Sequence, residues 1–212
     1  MVCLACAALD PDVICGACRR AMCPGPIRHL PGGIVVVAAT AHRGPARRLV
    51  HRLKYQGVSA AAEVLSCAMA ANVPQDARAL VPLPRAALRR WKYGVDPATL
   101  LARSLARRTG LELICGLRST WWWPRHAGRS RLDRVTPRFR IQHPPGPGWV
   151  FVDDVVTSGS TMLAAVAATD GVVRLGITAT GVGTLESTAK RPSNSPGRLR
   201  GGSAANEPTK PR

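Results

Sequence analysis

Two adjacent carboxylates, Asp153 and Asp154, close an apolar run, and after two valines come Thr157, Ser158, Gly159, Ser160 and Thr161. A chain with 12 acidic residues in 212 has a chemical use for placing two of them together there. A glycine set among hydroxyl residues just before a helix turns successive backbone N–H groups and hydroxyls toward an anion, and the helix dipole adds attraction. Carboxylates repel that anion, so the acidic pair suits its neighbours: the hydroxyls of a sugar, or a magnesium ion held through its outer sphere. Together these residues describe a site for a ribose 5-phosphate. The plain alternative is an acidic pair that caps the next helix. A Walker loop needs a lysine after its second glycine, and a dinucleotide loop needs a third glycine and a helix beyond Gly181 and Gly183; the sequence has neither.

A second cluster is built for metal. Cys3-x2-Cys6 is followed, eight residues on, by Cys15-x2-Cys18, a spacing that brings four thiolates around one tetrahedral zinc. Such a closed sphere leaves no open position, so the zinc is expected to be structural, supplying folding energy that so short a segment cannot draw from a core of its own. Cys23 reads as a spare or alternative ligand. Reduced thiols or a redox pair are the competing readings. Cys67 and Cys115 lie in apolar sequence and are expected to be buried small hydrophobes.

The formal net charge is +18, and four lysines, Lys54, Lys92, Lys190 and Lys210, leave arginine to supply nearly all of it. A positive field of that size steers polyanions, nucleic acid or phosphorylated metabolites, without choosing between them. Arg43, Arg47, Arg48 and Arg52 form one basic stretch. Arg118, Arg125, Arg129, Arg131 and Arg134 form another, beside Trp121, Trp122 and Trp123, a mixture of cations and aromatic planes that suits single-stranded DNA as well as an ordinary solvated face. The sequence shows no signal peptide and no apolar run of membrane-spanning length, so no membrane insertion and a cytoplasmic location are expected.

The positioning elements follow from periodicity. A strand-like run covers Ile34 to Ala38, and the basic segment after it puts Leu49, Val50 and Leu53 on one helical face. Residues 60–72 read as an alanine-rich helix and "ALVPLP" as a short strand stopped by Pro82 and Pro84. "DPATLLARSLARRTG" is a helix with Pro97 in its first turn, Leu100, Leu101 and Leu105 for burial, and Gly110 at its end. "GWVFVDD" is a buried strand, "STMLAAVAATDG" a helix and "VVRLGITATGVG" another strand. Short apolar strands alternating with helices predict an α/β fold, a parallel sheet flanked by helices. The expected division is a zinc-binding segment over 1–30 with a small fold of its own, a main domain over 31–184, and a basic tail over 185–212 that lacks periodicity and reads as disordered.

"VFVDDVVTSGST" (150–161) resembles the phosphoribosyl pyrophosphate (PRPP) signature of type I phosphoribosyltransferases. That resemblance implies that Asp153 and Asp154 bind the ribose hydroxyls and that Thr157, Ser158, Gly159, Ser160 and Thr161 hold the 5-phosphate. The cysteine-rich start, "HRLKYQG" (51–57), "LVPLP" (80–84) and the signature together resemble the ComF/GntX family, from Cys3 to about Gly183. On this resemblance Val81, Pro82, Leu83 and Pro84 correspond to the loop against the pyrophosphate, with Lys54 in the same neighbourhood, and the zinc segment takes the position of the hood. Two departures stand out. Tyr93 falls where the family has an arginine, with Arg89, Arg90 and Lys92 near it, and His126, after "WWWPR", replaces a glutamine in the stretch corresponding to the mobile loop. The resemblance implies a phosphoribosyltransferase using PRPP with magnesium, its acceptor base and catalytic residues unassigned. The alternative is a non-catalytic single-stranded DNA-binding or DNA-uptake protein with uptake partners and a PRPP-sensing or vestigial pocket, in which Trp121, Trp122, Trp123 and Arg125 would touch DNA.

Overall fold

The computed structural model describes residues 1–85, 94–120 and 138–183. The expectations for Arg89, Arg90, Lys92 and Tyr93, for Trp121, Trp122, Trp123, Arg125, His126, Arg129, Arg131 and Arg134, and for the tail 185–212 lie outside these residues.

The described strands are β1 (Ile27–Leu30), β2 (Ile34–Ala41), β3 (Ala79–Pro82), β4 (Glu112–Leu113), β5 (Leu117–Ser119), β6 (Phe139–Ile141), β7 (Trp149–Val156) and β8 (Leu175–Gly181). The helices are α1 (Gly16–Arg20), α2 (Gly44–Gln56), α3 (Ser59–Ala70), α4 (Pro97–Thr109) and α5 (Ser160–Ala168). Six strands form one sheet in the order β1-β2-β8-β7-β3-β4, while β5 and β6 pair separately. Within the large sheet β1 runs antiparallel to β2 and every other pair is parallel.

Local chemistry sets the helix limits. Pro97 stands in the first turn of α4, where its missing N–H is no loss, and Gly110 ends the helix at φ 74°. Gly57 ends α2 in the same left-handed conformation. Leu49, Val50 and Leu53 are buried as their spacing predicts; in α4 Leu101 and Leu105 are buried, while Leu100 is only partly so.

The two faces of the sheet carry different helices. Side chains of α2, α3 and α4, among them Leu49, Leu65, Met69 and Leu101, pack with Leu80, Val150, Val152 and Ile177. On the opposite face Met162, Ala165 and Val166 of α5 pack with Ile34, Val36, Val81 and Phe151. Each fully buried leucine or phenylalanine contributes about 1.5–3 kcal/mol. Met162 lies over a bare backbone: a Cβ on Gly176 would stand 2.1 Å from its Cε.

Two expectations change. Cys67 and Cys115 are exposed. Cys67 lies about 200° around α3 from buried Leu65, on the solvent side, and Cys115 falls in the link between β4 and β5. The segment expected to fold alone shares its core with the main sheet: Cys3, Ala5, Ile14, Cys15 and Cys18 pack in one cluster with Leu49, Val50 and Leu53. Arg48 Nη1 also donates to the Ala5 carbonyl at 3.0 Å. Among the described residues no helix is long and apolar enough to cross a membrane.

Candidate functional site

The chain leaves β3 outward to β4 but leaves β7 inward to β8, so the carboxyl ends of β3 and β7 flank the point where strand order reverses. In an open α/β sheet the crevice for a ligand forms there. Asp153 and Asp154 lie toward the carboxyl end of β7, close to Leu83, whose N–H donates to the Val152 carbonyl at 2.9 Å.

Because side chains alternate along a strand, the two carboxylates project to opposite faces. Asp153 lies on the α5 side. With Thr157, Gly159, Ser160, Thr161, Met162 and Thr178 it lines about 250 Å³ of space open to solvent. Its Oδ1 accepts the Asp154 N–H at 2.8 Å. Burial, and then the neighbouring Asp154 carboxylate, push the Asp153 carboxyl well above the usual carboxylate range. Asp154 lies on the α2 side, almost buried, with Oδ1 2.9 Å from Lys54 Nζ. Asp154 is engaged by Lys54, and two carboxylates on opposite faces of a strand do not converge on one ion, so these residues do not describe a resident magnesium site.

The loop 157–161 has the form its sequence predicts. Gly159 precedes α5 with φ 80°, and no side chain caps the helix. The described first-turn N–H groups are therefore open to an anion, apart from that of Ser160, which meets Ser158 Oγ at 3.4 Å. A side chain at 159 would be strained by the φ and would press on Leu30, whose Cδ1 lies 2.6 Å from the Cβ position.

Val81 and Pro82 belong to β3, and only Leu83 and Pro84 leave it. Their backbone has little to offer a pyrophosphate: the prolines lack an N–H, that of Leu83 is taken by Val152, and that of Arg85 donates to Asp96 Oδ2 at 3.2 Å. Cationic side chains are the alternative. Helix α2 brings one, because it spans the carboxyl ends of the strands. At its start the His42 N–H meets the Gly181 carbonyl at 2.8 Å, and at its end the Lys54 carbonyl accepts Arg85 Nη1 at 3.1 Å. Lys54 thus stands between Asp154, which its Nζ meets, and Arg85 after β3, which its carbonyl meets. His42 escaped sequence analysis, although the position just past an apolar strand, shared with the acidic pair, was a usable signal. Its Nδ1 lies 2.8 Å from Thr180 Oγ1.

In the cysteine cluster the ligand sulfurs of Cys3, Cys6, Cys15 and Cys18 all lie within 4.8 Å of one another. Tetrahedral zinc with bonds of about 2.3 Å sets its sulfurs about 3.8 Å apart, and Cys6 Sγ and Cys15 Sγ are 3.7 Å apart. Burial pushes the Cys3 thiol up, but N–H groups, that of Cys15 first, more than offset it and hold it at about 6. Burial and then the surrounding sulfurs push Cys18 up to about 12. Thiols this close do not all ionise without a cation, and a divalent metal is what the set fits. Cys23 stands outside it, its Sγ 3.8 Å from the Ala21 carbonyl.

The chain is 30% identical over 166 residues to DNA utilization protein YhgH of Salmonella typhi, covering 72% of this chain and 69% of that protein. It is 28% identical over 182 residues to the protein of the same name from Escherichia coli (strain K12), covering 70% and 80%. Among solved structures it is similar to the orotate phosphoribosyltransferase from Aeropyrum pernix, at 17% identity over 75% of this chain and 73% of that one, with a TM-score of 0.33. No protein-family model matches.

Proposed function

The chain belongs to the ComF/GntX family, and from that premise we propose that it binds PRPP and transfers the phosphoribosyl group to a nitrogenous base. One observation carries the reading: Asp153 and the loop 157–161 line a single space at the carboxyl end of the sheet, beside its switch point. The open N–H groups and hydroxyls of the loop hold the 5-phosphate. Asp153 meets one ribose hydroxyl, and Asp154 accepts from the other once Lys54 turns toward the pyrophosphate. Lys54 and Arg85 then face the leaving group from the β3 side. The magnesium arrives with PRPP as part of the substrate and neutralises the pyrophosphate. The C1–O bond breaks as the C1–N bond forms, and the chain contributes position and charge. Zinc on Cys3, Cys6, Cys15 and Cys18 is structural, and a cytoplasmic setting keeps those thiols reduced.

The test is calorimetric titration of the zinc-loaded protein with PRPP and magnesium, beside Asp153→Asn and the double variant Asp153→Asn, Asp154→Asn. Saturable heat that the double variant loses supports the reading, and no heat at millimolar PRPP sinks it.

A second reading rests on the exposed side of α2. Arg43, Arg47, His51 and Tyr55 recur at four-residue intervals, all exposed, and the last two rings lie 4.6 Å apart. Cations followed by exposed rings suit single-stranded DNA. The DNA utilization name of the relatives agrees with it. Salt-dependent binding of an oligothymidylate that Arg47→Ala weakens, while Asp153→Asn leaves it unchanged, is its expected signature.

A further inference from the structure

His42 has no part in the reading above, yet its surroundings define its protonation. The Thr180 hydroxyl is fully buried, 3.4 Å from the Asp154 carbonyl and 2.8 Å from His42 Nδ1. Donating to the carbonyl, it accepts from an Nδ1–H; donating to Nδ1, it leaves the ring proton on Nε2. The first arrangement satisfies both contacts and leaves the lone pair on Nε2. The charged groups acting on the ring are Lys54 and Arg47 from α2 and Asp154 from β7; burial first, then the two cations, lower its pKa against the opposing pull of Asp154. The imidazole is neutral at pH 7 and carries an available base.

Its position in the sheet gives that base a use. Across the carboxyl ends the order is β3, β7, β8, β2. If pyrophosphate departs on the β3 side and ribose lies over β7, a nucleophile displacing it in line enters from the side of β8 and β2. His42 follows β2 directly and is bonded to the end of β8. We propose that His42 takes the Nδ1–H tautomer and that its Nε2 is the proton acceptor for the incoming nucleophile, a ring N–H of a planar heterocycle or, more slowly, water. The inference rests on the phosphoribosyl-transfer reading. As the N–C1 bond forms, the C1–O bond breaks and its electron pair leaves with pyrophosphate; the N–H proton passes to Nε2, and the imidazolium returns it to solvent.

The test uses the full zinc-loaded chain and PRPP with magnesium, with water as the nucleophile and pyrophosphate release as the readout. His42→Asn keeps a donor toward Thr180 but has no Nε2, whereas His42→Ala loses both. Both variants are expected to keep PRPP affinity by calorimetry and to release pyrophosphate about 10²-fold more slowly. The wild-type rate should fall with acidification along a limb below the ordinary imidazole pKa, and that limb should vanish in both variants. The ¹⁵N shifts of the His42 ring should report an Nδ1–H tautomer at pH 7. If Asn restores the wild-type rate and limb, the role is positional and the inference fails. The opposite tautomer, or PRPP binding without release above the uncatalysed rate, also overturns it. Absence of PRPP binding removes the transfer reading itself.

Discussion

The two faces of β7 give neighbours in sequence opposite surroundings. On the α5 side, Asp153 meets a loop without charged side chains and a helix with no acidic residue in its first turn or basic residue in its last. On the α2 side, Asp154 meets Lys54, with His42 and Arg47 close enough to share its field. One face offers backbone donors, the other formal charge. A pair of identical residues thus meets two different environments, because the pleat separates what the sequence joins.

The largest break in this comparison should come through zinc. Cys3, Cys15 and Cys18 share a core cluster with α2, and none of them belongs to the cluster of α5. Structural zinc sites in short peptides contribute about 10–16 kcal/mol of apparent folding free energy. Chelation, or Cys15→Ser, should collapse hydrogen-exchange protection in 1–25 and α2 while α5 keeps most of its own. Equal loss in both helices would mean that the faces do not separate.

Next in size, Gly159→Val should disable the α5 face, since φ 80° and Leu30 both oppose a side chain. A loss of about 2 kcal/mol of stability by urea unfolding is expected, along with affinity for PRPP and for ribose 5-phosphate alike. Asp154→Asn comes third. It strands the Lys54 ammonium, which keeps 25% of its side-chain exposure, so the cost of breaking a buried pair shrinks to about 1–2 kcal/mol.

Asp153→Asn should be the mildest at low pH and the most telling across pH. A carboxyl whose pKa is raised on folding gives stability that is full below the unfolded pKa and is lost as pH rises through the folded one. The wild-type urea midpoint should decline over that window, and the Asn variant, unable to ionise, should lack this component. An identical pH dependence would show Asp153 to be an ordinary carboxylate.

How far all this was legible follows from range. The alternation of apolar strands and helices gave the parallel sheet, and Gly159 among hydroxyls gave the turn before α5, since both are local. The strand order, which turns Asp154 toward Lys54 across 100 residues of sequence, is not local, and neither is the use of the Leu83 N–H by β7. Cys67 was misread because an apolar neighbourhood in sequence includes both sides of a helix. The strands β1, β4, β5 and β6 have two to four residues each, too few for a period to declare itself.

The shortness of β1 has its own consequence. It forms one border of the sheet, four residues between Pro26 and Pro31, with Ile27 exposed. A border strand is a template on which another chain can add, but this one offers a short row of bonds fenced by residues that cannot donate. The sheet therefore ends where β1 ends, and crowded molecules find no ladder there on which to extend into a fibre.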